Sequence, residues 1–234
     1  MEYSVVIPVY NEEESLASLH ERVVAAMEKI STYYEIVYVD DGSSDTSGAK
    51  LTELADRYAH VKIISFVTNQ GQSAAFTAGF RASRGAWIIT LDADLQNPPE
   101  EINKFITFKH DYDFITGVRR ARRDTLNRKL SSQIARFFRW LLLRDETQDT
   151  GCSLRMFKRD IVAEFPFFRN FHRFFAFLVK STGFRVKEIE VKHQARAFGV
   201  SKYSNLKRAG EGIADLAGVW WLTRRFIHYE IKRS

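Results

Sequence analysis

The chain has one cysteine, Cys152, so it can form no internal disulfide framework and no multi-cysteine zinc site. A reducing compartment fits that usage. Four prolines and the absence of any low-complexity tract leave little room for a long flexible linker. No apolar run reaches the roughly 18–20 residues that a membrane-crossing helix needs. The longest near the C-terminus, Leu216–Leu222 (LAGVWWL), stops far short. The N-terminus opens directly on a strand-like segment and lacks a signal-peptide pattern. These absences predict a cytoplasmic protein that can lie on a membrane without crossing it. Two phosphate-binding signatures are also missing. There is no GxxxxGK[ST] segment, and the spacing of Gly71 and Gly79 does not match the dinucleotide fingerprint. Both omissions argue against a kinase-like ATPase and a nicotinamide enzyme.

What is present is ordinary in amount and uneven in distribution. Hydrophobic residues make up 45% and charged residues 27%, which excludes a wholly disordered, collagen-like or coiled-coil chain. The net charge is +6, but residues 1–116 carry 9 basic and 18 acidic side chains, and residues 117–234 carry 26 and 11. Residues 117–159 alone hold 12 basic against 4 acidic. An acidic half joined to a basic half points to a cation on one side and an anionic partner on the other. Ordinary solvated charge is the bland alternative.

The first half alternates between strand and helix patterns. Tyr3–Val9 (YSVVIPV), Tyr34–Val39 (YEIVYV), Val61–Val67, Ala86–Leu91 (AWIITL) and Phe114–Val118 read as short strands. Between them, Glu12–Ile30 repeats Leu16, Leu19, Val23 and Met27 at helical spacing. Further helices are expected over about 46–58 and 71–83, and one opens at Glu100 after Pro98-Pro99. This rhythm predicts an α/β fold with an open, mostly parallel sheet and helices on both faces. The rhythm then changes. Leu126–Leu143 is helical, with Ile134, Phe137, Phe138, Leu141 and Leu142 forming an apolar stripe among arginines. Asp145–Cys152 reads as polar loop, about 171–182 as an aromatic-rich helix, and Phe184–Val191 as a strand. Ser204–Lys232 reads as a largely helical, amphipathic segment.

Ligands in such sheets bind outside the carboxyl ends of the strands. Both acidic clusters lie there, Asp40/Asp41 after the second strand and Asp92/Asp94 after the fourth. Asp92-x-Asp94 is a natural seat for a hard divalent cation, Mg2+ or Mn2+, and Gln96 could add an oxygen. A turn or cap acid before Pro98 is the alternative. Asp41 lies where a carboxylate could accept hydrogen bonds from a nucleobase or ribose; helix capping by Ser44 or Asp45 is expected alongside.

Six segments in order carry a resemblance: VVIPVYNEEESL at 5–16, VDDGSSD at 39–45, NQGQSAAFTAGF at 69–80, ITLDADLQNPPEEI at 89–102, DTGCSLRMF at 149–157 and ARAFGVSKYS at 195–204. They resemble the family 2 glycosyltransferases of GT-A fold, and more narrowly the polyprenyl-phosphate glycosyltransferases. The resemblance spans about residues 3–205. It implies a catalytic domain over 1–203, with a nucleotide-sugar half (1–118) and an acceptor half (119–203), followed by the amphipathic segment 204–234. It implies that Pro8, Tyr10, Glu12, Val39 and Asp41 line the nucleotide pocket and that Asp92 and Ala93 contact the donor. Asp94 with Gln96 would hold Mg2+ or Mn2+, and Arg196 and Lys202 would reach the donor phosphates. The acceptor phosphate falls to Arg119, Arg128, Ser132 and Ser201, with Lys129 as a substitute for Arg128. Asp149 sits in the acceptor loop, either as a base or as the ion-pair partner that orients an arginine.

The implied reaction moves a sugar, with inversion, from a nucleotide-diphosphate sugar to a polyprenyl phosphate at the cytoplasmic face of the membrane. A polysaccharide or protein acceptor is the alternative. Nucleic acid is not expected, because no recognised motif accompanies the basic charge. Tryptophans and tyrosine beside arginines over 218–229 fit an interfacial helix, and Leu126–Leu143 is a second such stretch. Core packing, a second copy of the chain or a membrane subunit would also account for these stripes.

Overall fold

The computed structural model describes residues 1–119, 126–195 and 205–226, and side chains other than those of 126–132 and 205–211. In chain order the elements are β1 (Tyr3–Val9), α1 (Leu16–Glu28), β2 (Tyr34–Asp40), α2 (Ser47–Arg57), β3 (Val61–Ser65), α3 (Gln72–Ala82) and β4 (Trp87–Thr90). A 3-10 turn, Pro99–Glu101, runs into α4 (Ile102–Ile106), followed by β5 (Phe114–Arg119) and α5 (Leu126–Leu143). Then come β6 (Arg155–Lys158), α6 (Asp160–Glu164), a second 3-10 turn at Phe171–Arg173, α7 (Phe175–Ser181), β7 (Val186–Val191) and α8 (Asn205–Thr223).

Among the described residues, seven strands form one sheet in the order β3-β2-β1-β4-β6-β5-β7. The strands β1 to β4 are mutually parallel where they pair. Only β6 runs against its neighbours β4 and β5, and β7 lies parallel to β5. The expected parallel sheet is therefore present, with one reversed strand that the sequence reading missed. That strand is four residues long and alternates Arg155, Met156, Phe157 and Lys158, too short and too charged to stand out from the loop before it.

Helices cover both faces. On one, α1, α2 and α4 set Leu16, Leu19, Val23, Met27, Leu51, Ile102 and Phe105 against the sheet. On the other, Phe76 and Phe80 of α3 meet a phenylalanine cluster of Phe114, Phe157, Phe165, Phe171 and Phe175. Phe114 and Phe175 meet edge-on with ring centroids 4.9 Å apart, a geometry the ring quadrupole favours. Each such ring, fully buried, contributes about 1.5–3 kcal/mol.

Helix α1 begins four residues later than its apolar spacing predicts. The backbone N–H groups of Glu12 and Glu13 donate instead to Ser47 Oγ (2.9 Å) and Asp45 Oδ2 (3.3 Å). The loop after β1 is thus tied to the loop after β2 before the helix can start. Asp45 Oδ1 accepts the Ser47 N–H (2.9 Å), so it serves the start of α2 from one residue outside the cap position.

The C-terminal stripe divides. Leu216 and Val219 of α8 pack into the phenylalanine-rich core, while Ile213 and Trp221 stay exposed. Residues 227–234 lie outside the described set. The described side chains of α5 behave differently: Leu143 is buried, Arg139 is half-buried, and Gln133 to Phe138 and Trp140 to Leu142 are all exposed. No helix among the described residues is long and apolar enough to cross a membrane.

Candidate active site

The carboxyl ends of β1, β2 and β4 open onto one rim, because these strands are parallel neighbours. Strand β6 reaches the same rim from the other direction. Its first residue, Arg155, stands opposite Thr90, the last residue of β4. The reversed strand therefore delivers the segment Asp149–Ser153 to the edge where Asp92 and Asp94 lie.

The β2 end is a rigid turn. Asn11 adopts a left-handed conformation, and its side-chain oxygen accepts the Ser44 N–H at 2.7 Å. Asp40 Oδ1 accepts the Ser43 N–H at 2.9 Å. Gly42 has φ +68°, and a Cβ there would sit 2.6 Å from the carbonyl carbon of Thr68, so only glycine fits. Asp41 is buried and already engaged. It accepts the backbone N–H groups of Gln70 (2.7 Å) and Gly71 (2.9 Å) and the Asn69 side-chain amide (3.0 Å). Burial pushes its carboxyl up; those two backbone bonds oppose the rise and neighbouring Asp40 adds to it. The carboxylate expected beside a nucleobase thus also holds the entry to α3 in place.

Val39 is fully buried beneath α3, where a Cβ on Gly79 would come within 3.2 Å of its methyl group. Its side chain belongs to the core cluster that holds Phe76 and Phe80, not to the exposed surface of the rim. Pro8, at the Cα register of Val39, and Tyr10 and Glu12 beyond the end of β1 are half-buried.

At the β4 end, Asp92 is half-buried and Asp94 is 7% exposed. Asp92 Oδ1 accepts the Gln72 side-chain amide at 2.8 Å, and Ser153 donates to the same carboxyl. Burial, then the adjacent Asp94, pushes Asp92 up to about 6. Asp94 Oδ1 accepts the Gln96 N–H at 3.1 Å across a tight turn in which Leu95 has φ +59°. Ala93 is buried between the two carboxylates. The Gln96 carbonyl accepts the Gln194 N–H (2.9 Å).

Among the described residues, no group of three or more His, Cys, Asp or Glu side chains is arranged to hold a metal ion. What the rim offers is two close carboxylates whose mutual repulsion a cation would relieve. That donor set fits a hard divalent ion that draws the rest of its shell from phosphate oxygens and water.

Arg119 and Asp149, thirty residues apart, form a bidentate pair. Arg119 Nε and Nη2 donate to Asp149 Oδ2 (2.7 Å) and Oδ1 (2.8 Å), and the Arg119 backbone N–H adds a third bond at 3.1 Å. The Gly151 N–H supplies a fourth at 3.0 Å. Both side chains are 9% exposed. Burial alone would push the Asp149 carboxyl up, but the hydrogen bonds and charge of Arg119 outweigh it and hold it below the usual carboxylate range. The same contact keeps the Arg119 guanidinium firmly charged despite its own burial. The ion pair that one of the two expected roles of Asp149 requires is thus formed.

Three contributors escaped the sequence reading. Gln72 and Ser153 hold Asp92. Arg155 is 4% exposed, and its Nη2 donates to the carbonyls of Thr150 (3.3 Å) and His172 (2.9 Å). A basic residue in a strand gave no signal of such burial. Arg128, Lys129, Ser132, Arg196, Ser201 and Lys202 lie outside the described side chains.

Comparison with known proteins narrows the chemistry. The family model described as Glycosyl transferase family 2 matches residues 4–165. The chain is 44% identical over 210 residues to an undecaprenyl-phosphate 4-deoxy-4-formamido-L-arabinose transferase of Pectobacterium carotovorum, covering 87% of this chain and 63% of that protein. A protein of the same name from Yersinia enterocolitica is 42% identical over 206 residues, with the same coverage. The chain thus spans a little under two thirds of the length of these relatives. Among solved structures, glucosyl-3-phosphoglycerate synthase of Mycobacterium tuberculosis with Mn2+ and UDP-glucose superposes with a TM-score of 0.71 at 14% identity. That match covers 95% of this chain and 78% of the other. The same enzyme with Mg2+ and UDP gives a TM-score of 0.68 at 14% identity, covering 95% and 79%. At that identity the likeness concerns the fold.

Proposed function

The chain belongs to glycosyl transferase family 2, and on that premise we propose that it transfers a sugar from a nucleotide diphosphate to undecaprenyl phosphate at a membrane surface. The observation that carries this reading is the meeting, on one rim, of the Asp92/Asp94 pair with the Arg119–Asp149 pair. One suits a cation on a leaving diphosphate; the other suits a second anion brought close to it. The names of the relatives supply the lipid class, and the UDP in the structural neighbours makes uridine diphosphate the first donor to test.

Transfer is a single displacement. An oxygen of the acceptor phosphate bonds to the anomeric carbon while the bond from that carbon to the diphosphate oxygen breaks. The bonding pair leaves with the diphosphate, and the configuration inverts. A phosphate monoester has a second pKa of about 6, so the acceptor is largely a dianion at neutral pH and needs little help from a base. Asp149 orients Arg119 rather than taking a proton. Arg119 presents a fixed planar guanidinium to the acceptor phosphate, the shape suited to that group. Pro8, Tyr10, Glu12, Asp41, Asp92 and Ala93 line the donor side, with Arg196 and Lys202 on its phosphates and Arg128, Ser132 and Ser201 on the acceptor phosphate. A divalent cation held by Asp94, with Gln96 beside it, would supply charge stabilisation to the departing diphosphate.

The acceptor lives in a bilayer. Exposed Trp140 and Trp221 each lie under a guanidinium, Arg144 at 5.3 Å and Arg225 at 5.6 Å, and Arg224 lies 4.0 Å over Trp220. Aromatic rings paired with arginines suit the headgroup region of an anionic membrane. Docking through α5 and α8 is part of the proposal.

The test is to supply labelled sugar nucleotide, Mn2+ and vesicles containing undecaprenyl phosphate, then to extract into organic solvent. Label should enter the organic phase only when the lipid phosphate is present, and Asp94→Ala should abolish it. Label that stays aqueous across a panel of uridine- and guanosine-linked sugars would overturn the reading.

A further inference from the structure

Helix α5 is an unusual neighbour for a catalytic loop. Among its described side chains, six large apolar ones, Ile134, Phe137, Phe138, Trp140, Leu141 and Leu142, are 42–55% exposed. Leu143 is its one buried side chain among those described. An amphipathic helix normally turns its apolar stripe to the core. Here the stripe faces away, and polar contacts do much of the holding. Arg136 Nη2 donates to the Gln148 carbonyl at 3.0 Å, and Arg139 Nη2 donates to the Thr147 carbonyl at 2.8 Å. Arg139 Nε stands 3.3 Å from Asp145 Oδ2, yet neither atom completes a hydrogen bond there, although both are buried.

These contacts all fall on the segment that carries Asp149. That segment has a second anchor on the sheet, where the Gln148 N–H donates to Glu188 Oε1 of β7 at 2.9 Å. Its third anchor is the Arg119–Asp149 pair. The excursion from β5 through α5 and back is thus closed at its base by the pair assigned to the acceptor phosphate. The position of α5 and the position of Asp149 are linked through two arginines.

We infer that Arg136 and Arg139 are positioning residues that convert docking of the apolar face of α5 on a lipid surface into the placement of the Arg119–Asp149 pair. The inference rests on the lipid-acceptor reading above and deepens it. The occupant of the α5 face is an anionic lipid surface, because Arg144 sits over Trp140 at the end of that face and the half of the chain that carries α5 holds 26 basic against 11 acidic side chains. In water the exposed stripe adds nothing to the hold on α5, whose described attachments are Leu143, the arginine contacts and its contact with α8. On a bilayer the stripe is buried, the helix is fixed, and the half-made contact between Arg139 and Asp145 can close. The isolated enzyme should therefore be less active toward the same acceptor than the docked one.

The experiment uses the whole chain with a short-chain, water-soluble polyprenyl phosphate as acceptor, with and without acceptor-free vesicles of phosphatidylglycerol and phosphatidylethanolamine. Vesicles should stimulate the wild type about tenfold or more, the scale expected when a misplaced group is brought into register. The Arg136→Gln/Arg139→Gln variant should still float with the vesicles but lose the stimulation, with the acceptor KM in their presence staying at its vesicle-free level. Because Arg139 is half-buried, Arg136→Gln alone serves as a second variant on an exposed side chain and should lose part of the effect. Melting temperatures report whether each variant is folded. Equal stimulation of wild type and a folded arginine variant would overturn the coupling, as would a wild type that floats without being stimulated. Stimulation of the wild type by neutral phosphatidylcholine vesicles to the same extent would remove the anionic surface as the occupant. A wild type that transfers to no polyprenyl phosphate would instead bring down the lipid-acceptor reading, and this inference with it.

Discussion

Removing the Asp149 carboxylate is the most informative single perturbation, because its two candidate roles predict different losses. The carboxylate accepts four hydrogen bonds, three from Arg119 and one from Gly151. Asp149→Ala would leave a guanidinium that is 9% exposed without its counter-charge, and breaking such a buried pair costs about 3–5 kcal/mol. For a domain of this size that corresponds to a fall in Tm of roughly 6–20 °C. Asp149→Asn keeps an acceptor oxygen but not the charge and should lose about half as much. The folded carboxyl titrates below its unfolded value. The pair's contribution is therefore fully present above about pH 4, the ordinary aspartate value, and is lost as pH falls through the depressed one. Calorimetry from pH 5 to 8 should show a constant difference between wild type and Asp149→Asn. Initial rates over acceptor concentration complete the test. If Asp149 orients Arg119, Asp149→Asn raises the acceptor KM, and the pH–rate profile keeps its shape. If Asp149 removed a proton in the transition state, kcat at saturating acceptor would fall by about 10²–10⁴. A fall of that size in a variant with near-native Tm would refute the orienting role.

Other perturbations test the turn, the buried histidine and the buried arginine. Gly42→Ala places a Cβ 2.6 Å from the Thr68 carbonyl carbon at φ +68°; it should cost at least about 2 kcal/mol in urea unfolding, and an unchanged midpoint would contradict the turn geometry. His20, 2% exposed and 3.2 Å from the Tyr38 hydroxyl, is pushed down to about 4 by burial, with His60 and Arg57 adding to it. The unfolded state then takes up a proton that the folded state refuses, so stability falls as pH drops from about 6.5 to 4, by up to about 3 kcal/mol. The double variant His20→Phe/Tyr38→Phe should flatten that slope, and an unaltered slope would place the acid sensitivity elsewhere. Arg155→Met frees the carbonyls of Thr150 and His172 and should destabilise by about 2–4 kcal/mol; a variant that melts like the wild type would show that Arg155 does not hold the rim together.

Much of the fold was legible for local reasons. YSVVIPV reads as a strand because a parallel strand buried on both faces is apolar throughout, and Leu16, Leu19, Val23 and Met27 read as one helix face. The rim carboxylates were legible because each follows such a strand. Their partners were not. Nothing near Asp41 announces that Gln70 and Gly71 will occupy it, and Arg155 gives no sign in RMFK that a guanidinium will be buried. The apolar stripe of α5 was visible as a stripe, but its spacing is the same whether it faces a core or the outside.

The sequence by itself determined the alternation of elements, the acidic strand ends and the division of charge between the halves, because periods of two and 3.6 residues and local turn chemistry are properties of neighbours along the chain. Only the tertiary structure decided that β6 runs backwards between β4 and β5, that Asp149 closes on Arg119, and that α5 turns its rings outward. Those outcomes depend on which distant segments share a sheet edge, and no local pattern encodes that choice.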